Sequence, residues 1–249
     1  MKRLIILTKA MFLMNMRNRI TLFWNLLFPI LVLIIYRLAF ANSTVGDYDY
    51  MTWVLPGVLV FNILAYGLIG SSASMIDMRE KGILRRILAS PIPTLQLVTS
   101  YLIVNVFICL LQSALIVLFS VTVFGINIPV MGLLRAFPML IIGILTCVAL
   151  GGMISGLSPN SGVAMAAGQI LNFSQMFISD LVIPAEFLPD WLQKIVPYLP
   201  GYAVVHLLRP SLTANIFTPE TGANLLIAAA YILVSGFIAV RFFRWAPAN

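Results

Sequence analysis

Two long apolar runs flank an island of charge at residues 74–101, SMIDMREKGILRRILASPIPTLQLVTSY, in which Arg79, Glu80, Lys81, Arg85 and Arg86 stand close together. This contrast constrains the fold more than any other feature. Uncharged apolar runs of about 20 residues are long enough to cross a bilayer as helices, and a short charged connection between two of them reads as a cytoplasmic loop. The rest of the chain agrees: hydrophobic residues make up 61% of it and charged residues 9%, against about 45–50% and about 25% in soluble domains. Its 249 residues accommodate roughly six helical spans with their connections and no separate soluble domain. The expected fold is an all-α integral membrane protein, a single transmembrane domain over residues 1–249.

Residues 1–19 carry Lys2, Arg3, Lys9, Arg17 and Arg19 among Leu, Ile, Met and Phe, the pattern of an interfacial amphipathic helix on the inner membrane surface. They lack the uninterrupted apolar core of a signal peptide, so the segment is expected to be retained. Spans are expected at about residues 20–40, with Pro29 inside, then 50–74, 95–124, 133–157, 163–182 and 224–240. Asp47 and Asp49 fall in a short outer loop. Residues 183–210 hold Pro184, Pro189, Pro197, Pro200 and Pro210 with Trp191, Tyr198 and Tyr202 between them. Such a stretch suits short helices dipping into the outer interface as a re-entrant segment. Lys2, Arg3, Lys9, Arg17, Arg19, Arg79, Lys81, Arg85, Arg86, Arg241 and Arg244 would share one side, leaving Arg37, Arg135, Lys194 and Arg209 near the other. Both termini and the segment 75–94 are therefore expected in the cytoplasm. The net charge of +7 is accounted for by this rim facing membrane lipid, with no need for nucleic acid as a partner.

On one unbroken helix over residues 76–88, Ile76, Ile83, Leu84, Ile87 and Leu88 would share a face with Glu80 at its centre. A carboxylate desolvated there without a partner is costly. Either Gly82 breaks the helix or Glu80 meets a specific partner; a solvated loop is the plainer alternative. In the fifth span Gln169, Asn172, Gln175 and Ser179 occupy one third of the circumference with Met165, Gly168 and Met176, so this polar stripe should face a helix or a cavity. It serves either a translocation path or helix packing within or between copies, and Asn62 and Tyr66 beside Gly70 in the second span carry the same two readings. Gly152 and Gly156 form a GxxxG packing pattern. Cys109 and Cys147 lie in apolar runs as small core residues. His206 is the single histidine, which excludes a histidine metal cluster; it is expected to cap or pack near the outer surface. No GxxxxGK[ST] loop is present to bind ATP in that manner. The spans lack the mid-membrane charges that ion-coupled carriers use, so energy must come from elsewhere. A lipid-processing enzyme would have only Asp180, Glu186, Asp190 and His206 to work with.

Four stretches together resemble one known family. They are TLFWNLLFPILVLIIY at residues 21–36, YMTWVLPGVLVFNILAYGLIG followed by REKGILRRILASPIP at 50–70 and 79–93, residues 149–156, and FLPDWLQKIVPYLPGYAVVHLLR at 187–209. In this order they are similar to permease subunits of ABC exporters of the type-2 class, in its drug- and lipid-exporting branch. The resemblance implies that Arg79, Glu80, Lys81, Gly82, Arg85 and Arg86 form a coupling segment, with a Ser-Pro exit at Ser90 and Pro91, that docks on a cytoplasmic ATP-binding subunit. It further implies a second copy of the permease, or a homologous one, beside this chain, with ATP and Mg held by the partner ATPase and no cofactor in this chain. The implied activity is export of an amphipathic drug-like or lipid-like molecule across a bacterial plasma membrane, the direction coming from the family. The carbohydrate-exporting branch and an ion-coupled carrier remain alternatives. Two residues depart from the family pattern: Arg37, where small or apolar residues are usual, and Asp180, where a glycine commonly follows the serine. Both are expected near the outer face, either paired across it or solvated independently.

Overall fold

The computed structural model describes residues 2–17, 19–40, 43–45, 48–88, 93–213 and 219–242. Its helices are α1 (Lys2–Arg17), α2 (Arg19–Phe40), α3 (Tyr50–Ala65), α4 (Ser72–Glu80), α5 (Ile83–Leu88), α6 (Thr94–Phe124), α7 (Val130–Leu157), α8 (Ser161–Ile178), α9 (Asp190–Gln193), α10 (Pro200–Thr213) and α11 (Pro219–Phe242). A π-helical segment, Tyr66–Ser71, joins α3 to α4, and 3-10 turns stand at Ala185–Phe187 and Val196–Tyr198. One small exception to the all-α expectation is an antiparallel hairpin of two-residue strands, β1 (Thr44–Val45) and β2 (Tyr48–Asp49). It delivers Asp49 as the cap of α3, where its carboxylate accepts from the Met51 backbone N–H at 3.2 Å. Asp47, Ser90, Pro91, Arg244 and Trp245 lie outside the described residues.

Among the described residues four helices are long and apolar enough to cross a membrane: Tyr50–Glu80, Leu95–Phe124, Val130–Leu157 and Glu220–Phe242. The apolar part of α2, Leu26–Phe40, is shorter, and α8 has 18 residues. The second of the expected spans does not stop at residue 74. Nothing in ASMIDM breaks a helix, so the chain stays helical to Glu80 and ends where Gly82 takes φ +67, a left-handed value that glycine adopts without strain. The fifth ends at Ile178 rather than 182, because Asp180 turns the chain away with φ 58.

The helix running from α3 to α4 is the centre of the bundle. Of its most apolar stretch 83% is buried, against 17% for α11, which accords with α3 being apolar on every side. Around it pack α2, α10 and α8, with α7 along the π segment; α6 lies between α7 and α1, and α11 covers the far side of α7. Close approach depends on missing side chains. A Cβ added at Gly67 would stand 2.6 Å from the Cβ of Cys147 in α7, one at Gly168 would stand 2.5 Å from the Leu68 carbonyl oxygen, and one at Gly151 would collide with the Gly67 carbonyl. These contacts are backbone against backbone, in the manner of small-residue packing between membrane helices. The widened π turn releases carbonyls from the regular ladder, and nearby hydroxyls accept the task of bonding them. Ser71 Oγ donates to Gly67 O and Ser72 Oγ to Leu68 O, each at 2.5 Å, and Tyr101 Oη donates to Ser71 O at 2.7 Å.

At the opposite end, past α8, Asp180 organises a polar knot. Its Oδ1 accepts from the Ala185 N–H at 2.9 Å, and its Oδ2 meets His206 Nε2 at 2.8 Å and the Arg209 guanidinium. Arg209 also donates to the Asp180 carbonyl at 2.7 Å and lies over the Trp53 ring, 4.2 Å from its centre. Tyr202 stacks on His206. The pairing of Asp180 with Arg37 weighed from the sequence does not form. The partners come from α10, where His206 and Arg209 are three residues apart and share a face. His206 thus packs through its hydrogen bond to Asp180 and is bonded to no serine or cysteine among the described residues. Burial alone would raise the Asp180 carboxyl, but the His206 hydrogen bond and the Arg209 charge outweigh it and hold the group below the usual carboxylate value.

Two outcomes are expected. Gly67→Val and Gly151→Val should each cost about 1–3 kcal/mol or more through overpacking, read as a lower unfolding midpoint of the detergent-purified protein. Gly236→Ala, whose added methyl meets open space, should leave the midpoint unchanged or raised. Because the folded carboxyl of Asp180 titrates below its unfolded value of about 3.9, its contribution is complete above that value and lost as pH falls through the folded pKa. Melting curves from pH 7 to pH 3 should therefore decline at the acid end, and Asp180→Asn should both flatten that decline and lower the midpoint at pH 7 by removing the counter-charge of Arg209, at about 3–5 kcal/mol.

Candidate functional site

The charged island folds into two helices with a break. Gly82 donates its N–H to Arg79 O at 3.0 Å and Lys81 to Asp77 O at 2.9 Å, closing α4, and α5 starts afresh at Ile83. Leu84 is buried, Ile83 and Ile87 pack on the core, and Arg85 and Arg86 are exposed. The short helix α5 thus shows a basic face outward from an apolar seat. Lys81 and Asp77 pair at 2.6 Å on the surface, where such a pair contributes little.

Arg79 and Glu80 do something the sequence did not disclose. Arg79, expected on the docking surface, is only 3% exposed; its guanidinium donates to the carbonyls of Ser158 at 3.1 Å and Pro159 at 2.8 Å, just past the C-terminal end of α7. Glu80 accepts from the backbone N–H and hydroxyl of Ser161 at 3.1 and 3.3 Å, at the first turn of α8. A cation at a helix C-terminus and a carboxylate at a helix N-terminus both match the helix dipoles. Consecutive residues of α4 therefore clamp the two ends of the α7–α8 turn. Asn160 completes the turn as N-cap of α8, its side chain accepting from Val163 N–H at 2.9 Å. Both halves of the sequence dilemma hold: Gly82 breaks the helix, and Glu80 has a specific partner inside the chain. The motif SPNSG marks a turn with an N-cap, and nothing in it signals that Ser161 would receive a carboxylate from 81 positions away.

Beside the clamp lies a cavity of about 640 Å³ between α1, α2, the α3–α4 helix, α6 and α8. Asn62, Tyr66 and Gly70 of the second expected span and Met165, Gln169 and Asn172 of the fifth, all singled out from the sequence, line it. Gln175, Met176 and Ser179 do not. Gln175 Oε1 accepts from Ser179 Oγ at 2.8 Å and from the Gly201 N–H at 2.9 Å, fastening α8 to α10, and Met176 packs against the core. The polar stripe of α8 therefore divides: its inner half faces a cavity and its outer half is packing. Met11, Met14 and Asn15 of α1, with Phe28 of α2, close the cavity from the other side. Their place there depends on α1 packing across α6, including an edge-to-face contact of Phe12 with Phe107, and no local pattern announces it. Among the described residues no group of three or more histidines, cysteines and carboxylates is arranged to hold a metal ion.

The profile of the ABC-2 type transporter family matches residues 2–213, which include the clamp and the cavity. A transport permease of Cyanophora paradoxa, ycf38, is 30% identical over 201 residues, covering 78% of this chain and 68% of that protein. A protein of Escherichia coli strain K12 named as the multidrug ABC transporter permease YbhR is 27% identical over 149 residues, 59% of this chain and 40% of YbhR. YvfS of Bacillus subtilis strain 168, named as a transport permease, is 22% identical over 219 residues, 88% of each chain. A multi-pass helical chain with this family match is a non-catalytic permease subunit, and it belongs to the ABC-2 type transporter family.

Proposed function

We propose that this chain is the membrane half of an ATP-driven exporter, coupled to its ATPase through α5 and the Arg79–Glu80 clamp. Six membrane-crossing helices, with α2 and α8 joining the four long ones, bring both termini to the cytoplasmic side of a bacterial plasma membrane. The segment from Ala185–Phe187 to α10 dips into the outer leaflet as re-entrant structure. A second copy, or a homologous permease, completes the path. ATP and Mg reside on the partner.

The observation that carries this reading is the clamp. The exposed face of Arg85 and Arg86 offers a soluble subunit a grip, while Arg79 and Glu80, directly before α5, hold the turn that begins α8. Displacement of α5 thereby reaches the helix that contributes Gln169 and Asn172 to the cavity. The cargo is amphipathic, drug-like or lipid-like, as the aromatic and amide lining and the name of YbhR suggest.

The test is to purify the tagged chain gently from its own membrane and ask whether an ATP-hydrolysing subunit accompanies it in equal amount. Glu80→Ala should retain the partner but lower transport per ATP hydrolysed by tenfold or so, the loss of about 1–1.5 kcal/mol of coupling from two hydrogen bonds. Gly82→Asn, whose side chain tolerates a left-handed backbone, should remain functional, whereas Gly82→Leu should release or uncouple the partner, since leucine disfavours φ +67 by about 1–2 kcal/mol. Absence of any ATPase in the wild-type preparation across several mild detergents would sink the reading.

A further inference from the structure

The cavity's chemistry points to the charge class of what it holds. Among its described lining residues Asp77 is the sole charged side chain, it stands at the inner mouth, and it is already paired with Lys81 at 2.6 Å. No lysine, arginine or histidine among the described residues lines the space. An ionised head group entering it would leave water without finding a counter-charge, which is strongly unfavourable.

Uncharged hydrogen-bonding groups, by contrast, stand waiting. Asn172 Oδ1 is buried with no hydrogen-bond partner among the described residues, and the amide of Asn62 and the hydroxyl-bearing ring of Tyr66, 3% and 5% exposed, line the same space. Hydroxyls next to this group are satisfied: Ser71, Ser72 and Tyr101 all donate to carbonyls of the π segment or its neighbours. Other buried polar groups without a partner among the described residues, on Gln96, Ser100, Gln112 and Ser113 of α6, lie away from the cavity, whereas Asn172 faces it, and an unbonded buried polar group beside such a space calls for a ligand or water to complete it. Phe28 and Phe61, with rings 5.8 Å apart, together with Phe173 and the thioethers of Met11, Met14 and Met165, supply an apolar and adaptable remainder. The volume of about 640 Å³ falls within the range of pockets for drug-sized molecules.

We propose that this cavity binds an uncharged amphiphile, with an apolar tail and a head group such as a hydroxyl or amide that both donates and accepts, held by Asn62, Tyr66 and Asn172. The inference rests on the exporter reading only in treating the bound molecule as cargo; binding is independent of it.

The test uses the full chain, purified with whatever subunits accompany it and placed in phosphatidylcholine nanodiscs. Three probes share one NBD-labelled tail and differ in the head: a monoacylglycerol, a fatty acid and an alkylamine. The monoacylglycerol should bind saturably above its partitioning into empty nanodiscs, at least tenfold more tightly than the other two. Asn62→Leu and Asn172→Leu should each weaken it by about tenfold, the loss of one hydrogen bond. Asn172→Leu should keep or raise the unfolding midpoint, because it deletes an orphaned polar group. Asn172→Asp should turn the preference toward the alkylamine. Equal or tighter binding of a charged probe to wild type, absence of saturable monoacylglycerol binding, binding indifferent to both leucine variants, or a fall in midpoint with Asn172→Leu would each overturn the proposal. ATP-dependent uptake into inverted vesicles is measured separately. Binding without such uptake overturns the exporter reading and leaves the site standing, whereas ATP-driven uptake of other compounds without monoacylglycerol binding does the reverse.

Discussion

Everything in this fold hangs on helix backbones touching where the π segment passes α7 and α8. In lipid there is little hydrophobic force between helices, so packing must come from close van der Waals contact and from satisfied polar groups. Gly67, Gly151 and Gly168 provide the contact by removing every atom that would hold the helices apart. The same contact creates a difficulty, since the π turn loosens the backbone ladder at its tightest point, and each freed carbonyl would be costly in a dry interior. Ser71, Ser72 and Tyr101 answer it locally. The cavity then arises beside this point, because the widened turn directs Tyr66 and Ile69 along a face where α8 carries amides and α1 carries methionines.

α8 links the two halves of the site. Its first turn is gripped by Glu80, its middle contributes to the cavity, and its last residues are tied to α10 through Gln175 and Ser179. A helix held in this way transmits displacement along its length with little bending. The interaction at the inner end is exposed and built from hydrogen bonds to one serine, whereas those at the outer end are buried. The inner contact is accordingly the easier of the two to remake during a cycle.

The sequence made the membrane architecture legible because its signals are one-dimensional. Runs without charge located the long apolar helices, with α6 falling on the expected 95–124 almost unchanged, and the charged island marked where one of them ends, at Gly82. The inner half of the α8 stripe was legible for the same reason, as a 3.6-residue periodicity of amides. The rest depended on contacts between distant positions. Arg79 looked like a surface residue because its neighbours are charged; its carbonyl acceptors lie 79 and 80 residues away. The π segment has no composition of its own, and Tyr66–Ser71 is apolar and small like what precedes it. Division of the stripe at Gln175 required knowing that Gly201 would present an N–H to it. Asp180 was noticed as a departure from a glycine, yet its partners could be named only once α10 was folded against α3.

That departure shows how a local penalty can be retained for a distant gain. Aspartate tolerates the left-handed region better than most residues but still at some backbone cost, which glycine at position 180 would remove. It would also remove the carboxylate that neutralises Arg209, whose guanidinium bonds Asp180 twice and lies on Trp53 of α3. Without its counter-charge, that buried cation would cost more than the backbone strain saves. Strain at Asp180 and the ion pair therefore stand or fall together, and they join the end of α8, α10 and the start of α3 at one point. Any rearrangement that parts these three elements at the outer face must separate Asp180 from Arg209, a step whose cost is set by how much water reaches the pair as it opens. The end of the bundle at Asp180 is thus fastened by this ion pair beside the Gln175–Ser179–Gly201 hydrogen bonds, while its other end is held by two consecutive residues of the helix that leads into α5.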